Sequence, residues 1–155
     1  MKSRTNTYQL NEDALRISKI SDYVQLIKLN LTIVVVLTAI GAFLIASQLQ
    51  TGWLELAVLG IGGFCVTAAS NILNEVLERD YDKLMKRTMN RPLAAGRMSV
   101  SEAVLAAGLL SLVGITLLAL FNPFCSLLGM IALLLYAFVY TPLKRHSTSA
   151  VFIGA

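Results

Sequence analysis

Apolar residues in this chain come in long, nearly unbroken runs rather than at the alternating spacing of a strand. Four such runs cover residues 30–48, 53–74, 104–121 and 124–140. Each approaches the roughly 20 residues that a helix needs to cross about 30 Å of hydrocarbon. A fifth run begins near Ser147 and reaches Ala155; a helix over that stretch rises only about 14 Å, too short to span. The pattern predicts an all-α membrane protein with four transmembrane helices plus the start of a fifth. Residues 1–29 read as a cytoplasmic N-terminal segment and 30–155 as a partial transmembrane domain, the front part of something longer.

Composition supports the bilayer as solvent. Of 155 residues, 56% are hydrophobic and 14% charged, where a soluble domain carries roughly 25% charged. Mean hydropathy is +0.70. A chain this apolar has too little polar surface to cover itself in water. Cys65 and Cys125 both fall inside apolar runs, which argues against a disulfide framework or a cysteine-based zinc site. The single histidine, His146, argues against a histidine-rich metal centre.

The charges assign the compartments. Lys2, Arg4, Arg16, Lys19 and Lys28 precede the first span, Arg79, Lys83, Lys86, Arg87, Arg91 and Arg97 follow the second, and Lys144 and Arg145 follow the fourth. The connections around 50–52 and 122–123 hold no Lys or Arg. All 13 basic residues thus fall on one side, which the positive-inside rule places in the cytoplasm. For most of them this orienting role is sufficient, and no nucleic-acid partner is expected. The segment 1–29 lacks the apolar core of a signal peptide, and Glu12, Asp13 and Asp22 count against a mitochondrial transit peptide. The expected location is a bacterial inner membrane, with the N-terminus and the 75–103 loop in the cytoplasm.

Four of the nine acidic residues lie within one short stretch, Asn74-Glu-Val-Leu-Glu-Arg-Asp-Tyr-Asp82, at the end of the second span. No Gly or Pro interrupts the chain there until Pro92, so the stretch reads as the second helix continuing out of the membrane. On a helical wheel with Asn74 as origin, Glu78 lies at about 40°, Asn71 at about 60° and Asp82 at about 80°. Glu75 follows at about 100° and Lys86 at about 120°. Asp80 and Arg87 point away, at about 240° and about 220°. Asn74 and Asp82 start about 12 Å apart along the axis. Oxygens so spread cannot cage one ion alone, but they suit Mg²⁺ that also holds waters and a diphosphate. Lys86, Arg87, Arg91 and Arg97 stand nearby to neutralise the same oxyanions. A charged stripe at the mouth of apolar helices implies a substrate with an anionic head and a greasy tail, such as a polyprenyl diphosphate. The competing reading is a set of interfacial ion pairs, with Arg79 and Lys83 taking up Glu75, Glu78 and Asp82.

Asn74-x3-Glu78-x3-Asp82 with the following Leu-Met-Lys-Arg-Thr-Met-Asn-Arg-Pro-Leu93 resembles the first Asp-rich motif of the UbiA family of intramembrane prenyltransferases. Tyr140-Thr-Pro-Leu-Lys-Arg145 resembles the family's Tyr-Thr-x-x-Lys-Arg element. Most members have Asp where Glu78 stands; the Glu-Arg-Asp-x-Asp form is similar to the branch that farnesylates heme B. The resemblance covers the chain from about Asp22. It implies a nine-helix bundle in which two Asp-rich motifs hold a diphosphate through Mg²⁺, with farnesyl diphosphate as donor and a vinyl group of heme B as acceptor. By position it makes Asn74, Glu78 and Asp82 metal and diphosphate ligands and Lys86, Arg87 and Arg91 diphosphate-side cations. Tyr140 and Lys144 become the aromatic and basic residues facing them. The second Asp-rich motif of the family is missing, since no acidic residue follows Glu102. This stretch of chain alone is therefore expected to be inactive, with a missing C-terminal half or a heme A synthase as partner.

Other readings remain open at this point. A 4-hydroxybenzoate polyprenyltransferase shares the Arg-Thr-x-x-Arg-Pro-Leu run, and a small non-catalytic membrane protein is a further alternative. A transporter is disfavoured, because no acid lies deep in any span. Asn71 is expected to make a helix–helix hydrogen bond, Glu55 to be solvated, Asp80 to pair with the connecting loop, and Gly60, Gly62 and Gly63 to permit close helix packing. His146 follows two cations at the bilayer surface, and contact with a heme propionate or iron is one reading of it.

Overall fold

The computed structural model of the chain describes residues 19–143. The expectations for Lys144, Arg145, His146 and the start of a fifth span, and for the segment 1–18, lie outside the described residues. Among the described residues there is no strand. Helix α1 covers 19–26, followed by α2 (Leu29–Ala46), α3 (Trp53–Asp82), α4 (Val100–Phe121) and α5 (Pro123–Leu134). A π-helical stretch, Leu135–Tyr140, continues α5 into the short α6 (Thr141–Leu143). Four segments are long and apolar enough to cross a membrane: Leu29–Ala46, Trp53–Asp82, Val100–Phe121 and Pro123–Leu143.

Local chemistry sets where these helices begin. Ser99 accepts the Glu102 N–H at 3.1 Å, a Ser-x-x-Glu start that satisfies an otherwise orphaned donor. It carries α4 back to Val100, ahead of the apolar run that begins at Val104. Asn122 accepts the Phe124 N–H at 2.8 Å, and Pro123 occupies the first helical position, where its missing N–H costs nothing. The 30 residues of α3 extend about 45 Å, well beyond the hydrocarbon thickness. The helix runs without a break through its charged C-terminal turns to Asp82, as the uninterrupted sequence predicts.

Helix α3 is also the centre of the bundle. Within its apolar window 44% of residues are buried, against 6% for α2. One apolar cluster joins Leu26, Ile72, Leu93, Met98, Ala103 and Ala107, so it knits α1, α3, α4 and the 83–99 connection together. A second joins Val66, Ala69, Leu118 and Leu133 across α3, α4 and α5. Small residues permit the closest approach: a Cβ on Gly114 would stand 2.8 Å from the Val66 backbone nitrogen, and one on Gly62 3.1 Å from Leu118 Cγ. Gly60 meets Ile40 in the same way at 3.3 Å, whereas Gly63 faces open space and takes no part. Leu37, Leu105, Leu112, Leu120 and Phe124 remain exposed, the surface expected of helices solvated by lipid or by further helices.

Two polar links fix the N-terminal helix against the rest. Asn71 donates to Thr32 Oγ1 at 3.1 Å and to the Ile27 carbonyl at 3.3 Å, the helix–helix role expected of it. Arg97, expected among the diphosphate-side cations, is instead a clasp. Its Nε donates to Asp22 Oδ1 at 2.8 Å, and its Nη2 to Gln25 Oε1 at 3.2 Å and to the Asn90 carbonyl at 3.0 Å. Beside it Tyr23 donates to Glu102 Oε1 at 2.8 Å, and that acceptor holds the Tyr23 phenol above its ordinary pKa.

Candidate active site

The C-terminal end of α3 lines a cavity of about 580 Å³, within the roughly 300–1,000 Å³ usual for ligand sites. Steps of four residues keep Asn74, Glu78 and Asp82 on one helical face, and all three line it. Lys28, Arg87 and Arg91 bring positive charge to the same space, and Tyr136 and Tyr140 supply an aromatic wall. The two rings stack with centroids 5.3 Å apart and an interplanar angle of 20°.

Pro142 explains the local geometry of that wall. It has no N–H to donate back into the helix, and the turn before it widens to π spacing. Both the backbone N–H and the hydroxyl of Thr141 donate to the Tyr136 carbonyl, the latter at 2.8 Å. Thr141 is fully buried, and its hydroxyl accepts from Asn74 Nδ2 at 2.9 Å. The fourth span is thereby tied to the acidic face.

Lys28 completes the network. It sits between α1 and α2 with φ 50° and ψ 57°, the left-handed region that residues other than glycine seldom adopt. Such a conformation costs about 1 kcal/mol, and Gln48 and Leu49 share it in the connection at the other end of α2. Lys28 Nζ donates to Asn74 Oδ1 at 2.9 Å. Because an ammonium can only donate, the amide oxygen must face it, which leaves Nδ2 for Thr141. On the next turns Arg91 Nη1 donates to Asp82 Oδ2 at 2.8 Å, an ion pair whose side chains are 20% and 5% exposed. Thr88 Oγ1 donates to the Asp82 carbonyl at 3.1 Å and folds the connection back over the helix end.

The structure therefore brings together Asn74, Glu78, Asp82, Arg87, Arg91 and Tyr140 of the residues that the sequence singles out. Lys86 is exposed and is not among the cavity-lining residues. The helical wheel places it on the ligand arc, but α3 ends at Asp82, so angles beyond that residue do not apply. The same ending brings in Arg87, which the wheel turns away. Arg79 and Lys83, the expected competitors for the carboxylates, both bond Asp80, at 3.2 and 2.9 Å. Lys28, Tyr136 and Thr141 escape sequence reasoning. Lys28 has a sufficient topological role, and Thr141 stands unexplained inside the Tyr-Thr-x-x-Lys-Arg element.

Glu75 is fully buried behind this face. Neither of its oxygens accepts a hydrogen bond; the Leu93 N–H lies near without bonding geometry, and Arg91, Lys28 and Asp82 are the surrounding charges. Among the described residues, no three Asp, Glu, His or Cys side chains converge closely enough to hold a metal by themselves. The donors that Asn74, Glu78 and Asp82 present are nevertheless all oxygens, the type Mg²⁺ prefers. The set fits an ion whose shell is completed by water and by the oxygens of a bound diphosphate.

Fold and site together define a multi-pass helical membrane protein with a charged cavity at one end of its bundle. Residues 34–155 match the UbiA prenyltransferase family, and the chain belongs to that family. It is 41% identical over 139 residues to the protoheme IX farnesyltransferase of Cytophaga hutchinsonii, which covers 89% of this chain and 49% of that protein. The Flavobacterium psychrophilum protein of the same name is 41% identical over 138 residues, 87% of this chain and 46% of the relative. A mitochondrial protoheme IX farnesyltransferase from Debaryomyces hansenii is 39% identical over 139 residues, 89% and 30% respectively. The chain spans about half the length of the first two relatives. No solved structure matches the chain.

Proposed function

We propose that the protein these residues belong to transfers a farnesyl group from farnesyl diphosphate to a vinyl group of heme B, giving heme O, at the cytoplasmic face of a bacterial inner membrane. The observation that carries the reading is the meeting of Asn74, Glu78 and Asp82 with Lys28, Arg87 and Arg91 in one cavity, beside stacked tyrosines and apolar helices. The names of the relatives support the choice of acceptor.

Ionising an allylic diphosphate separates a carbocation from inorganic pyrophosphate, which carries one more negative charge than the ester did, so groups that stabilise the leaving oxygens lower the barrier. Arg91, Arg87 and Lys28 are placed to take up that charge. Mg²⁺, held through Asn74, Glu78 and Asp82, would supply further Lewis-acid stabilisation of the phosphate oxygens. Tyr136 and Tyr140 offer ring faces to the allylic cation, an interaction of about 0.5–2 kcal/mol. The apolar helices beside the cavity would shield the isoprenoid from the water that quenches such a cation. The 155 residues carry one acidic motif only, no acidic residue following Glu102, so turnover is proposed for the longer protein and not for these residues alone.

Farnesyl transfer tests this directly. In the full-length protein, labelled farnesyl diphosphate and heme B should yield heme O on chromatography, and Glu78→Ala with Asp82→Ala should lower the rate at least about 100-fold. Undiminished transfer by the double variant would remove the acidic face from the reaction. Prenylation of 4-hydroxybenzoate in place of heme B would keep the donor and overturn the acceptor.

A further inference from the structure

One side-chain oxygen at each end of the acidic face is already engaged by a cation that also lines the cavity. Lys28 Nζ holds Asn74 Oδ1 at 2.9 Å, and Arg91 Nη1 holds Asp82 Oδ2 at 2.8 Å. These atoms are the ones a metal ion would seek at the first and third positions of Asn74-x3-Glu78-x3-Asp82. The cations are the ones a diphosphate would seek. Both sets cannot be satisfied at once by the same contacts.

We propose that Lys28 and Arg91 are exchangeable occupants of the metal ligands, so that the cavity disfavours Mg²⁺ alone and accepts metal and diphosphate together. This rests on the metal–diphosphate reading of the cavity. The side chains lining it include three cations, Lys28, Arg87 and Arg91, and two carboxylates, Glu78 and Asp82. A lone divalent cation entering there meets these three cations and competes with Arg91 for a carboxylate that is 5% exposed. A diphosphate arriving with the metal gives both displaced cations new oxygen partners. Each lost charge-assisted bond is replaced by another of the same kind.

The surroundings allow the exchange. Arg91 lies in the 83–99 connection, lines the cavity and is 20% exposed in its side chain, so a rotamer change can move its guanidinium from Asp82 to an anion in the cavity without unfolding a helix. Asn74 keeps its second anchor when Lys28 leaves, because its Nδ2 still donates to Thr141. Asp82 likewise keeps its backbone tie to Thr88. The ligands stay in place while the cations move. Metal and diphosphate affinities are then reciprocally coupled: the diphosphate draws off the cations that block the metal, and the metal frees those cations for the diphosphate.

The distinguishing consequence is that deleting a cation should tighten metal binding. Mn²⁺ titrations followed by electron paramagnetic resonance, with the intact protein in lipid nanodiscs, read this without turnover. Arg91→Gln and Lys28→Met are each expected to raise affinity for Mn²⁺ alone by about fivefold or more, the size of an ordinary coupling between sites. In the unaltered protein, inorganic pyrophosphate should raise Mn²⁺ affinity by about tenfold or more, after allowance for the complex formed in solution. Loss of either cation should shrink that enhancement. Mn²⁺ affinity that is unchanged or weakened in both variants would overturn the exchange, as would an enhancement below about twofold in the unaltered protein, which needs no variant to fold. Asp82→Asn separates the two levels of argument: if it leaves Mn²⁺–pyrophosphate binding intact, the metal–diphosphate reading itself fails.

Discussion

Replacing Arg97 with methionine separates two roles for a residue that the sequence and the structure treat differently. As a diphosphate ligand it would affect substrate and little else. As a clasp it spans from α1 to the 83–99 connection through bonds of 2.8, 3.2 and 3.0 Å. Methionine keeps much of the aliphatic stem, deletes all three bonds and leaves Asp22, 7% exposed, without its cation. A hydrogen bond to a charged group contributes about 1.5–3 kcal/mol, and breaking a fully buried pair costs about 3–5 kcal/mol. The Arg97 side chain is 39% exposed, so water recovers part of the loss, and a destabilisation of about 2 kcal/mol is expected. Unfolding in mixed detergent–SDS micelles, followed by helical circular dichroism, measures it. A cycle with Asp22→Asn should return a coupling of about 1–2 kcal/mol. Asn90, whose carbonyl Arg97 holds, directly precedes Arg91, so pyrophosphate binding should weaken in parallel. A variant that unfolds within about 0.5 kcal/mol of its parent yet loses pyrophosphate affinity would refute the clasp and restore the ligand.

Two further outcomes follow from the packing. Gly114→Ala places a methyl 2.8 Å from the Val66 backbone nitrogen, which cannot yield as a side chain tip would. Overpacking of about 1–3 kcal/mol should outweigh the gain of about 1 kcal/mol in helix propensity. Gly108→Ala, with nothing within 4 Å, should stabilise in the same unfolding assay, and equal stability of the two variants would contradict the close crossing of α3 and α4. Pro142→Ala restores a backbone donor, lets the π stretch relax toward an α-helix, and turns Tyr140 and Thr141 away from Asn74. Heme O formation by the full-length protein should fall about 10–100-fold with folding preserved; an unchanged rate would show that the widened turn has no part in placing the site.

The legible part of the site is the part written in one helix. Asn74, Glu78 and Asp82 share a face because four-residue steps return near the same angle, and no neighbour is needed to know it. Legibility stops where α3 stops. Past Asp82 the wheel misplaces both Lys86 and Arg87, because the turn that ends the helix is closed by Thr88 bonding the Asp82 carbonyl, a contact between side chain and backbone that hydropathy does not encode. Asp80, expected to form an ion pair, makes two, since consecutive charges at a helix end find each other locally.

What the chain alone determined is therefore its helical class, its four apolar spans and the acidic face that ends the second of them, all consequences of periodicity and transfer free energy acting over neighbouring residues. What only the tertiary structure decided is which distant groups meet that face. Lys28, 46 positions from Asn74, and Thr141, 67 positions away, reach it because small residues let helices close on α3 and because a proline widens the last turn. Such meetings depend on the packing of whole helices, and one residue of slippage in any of them would rotate its partner by about 100° out of the cavity.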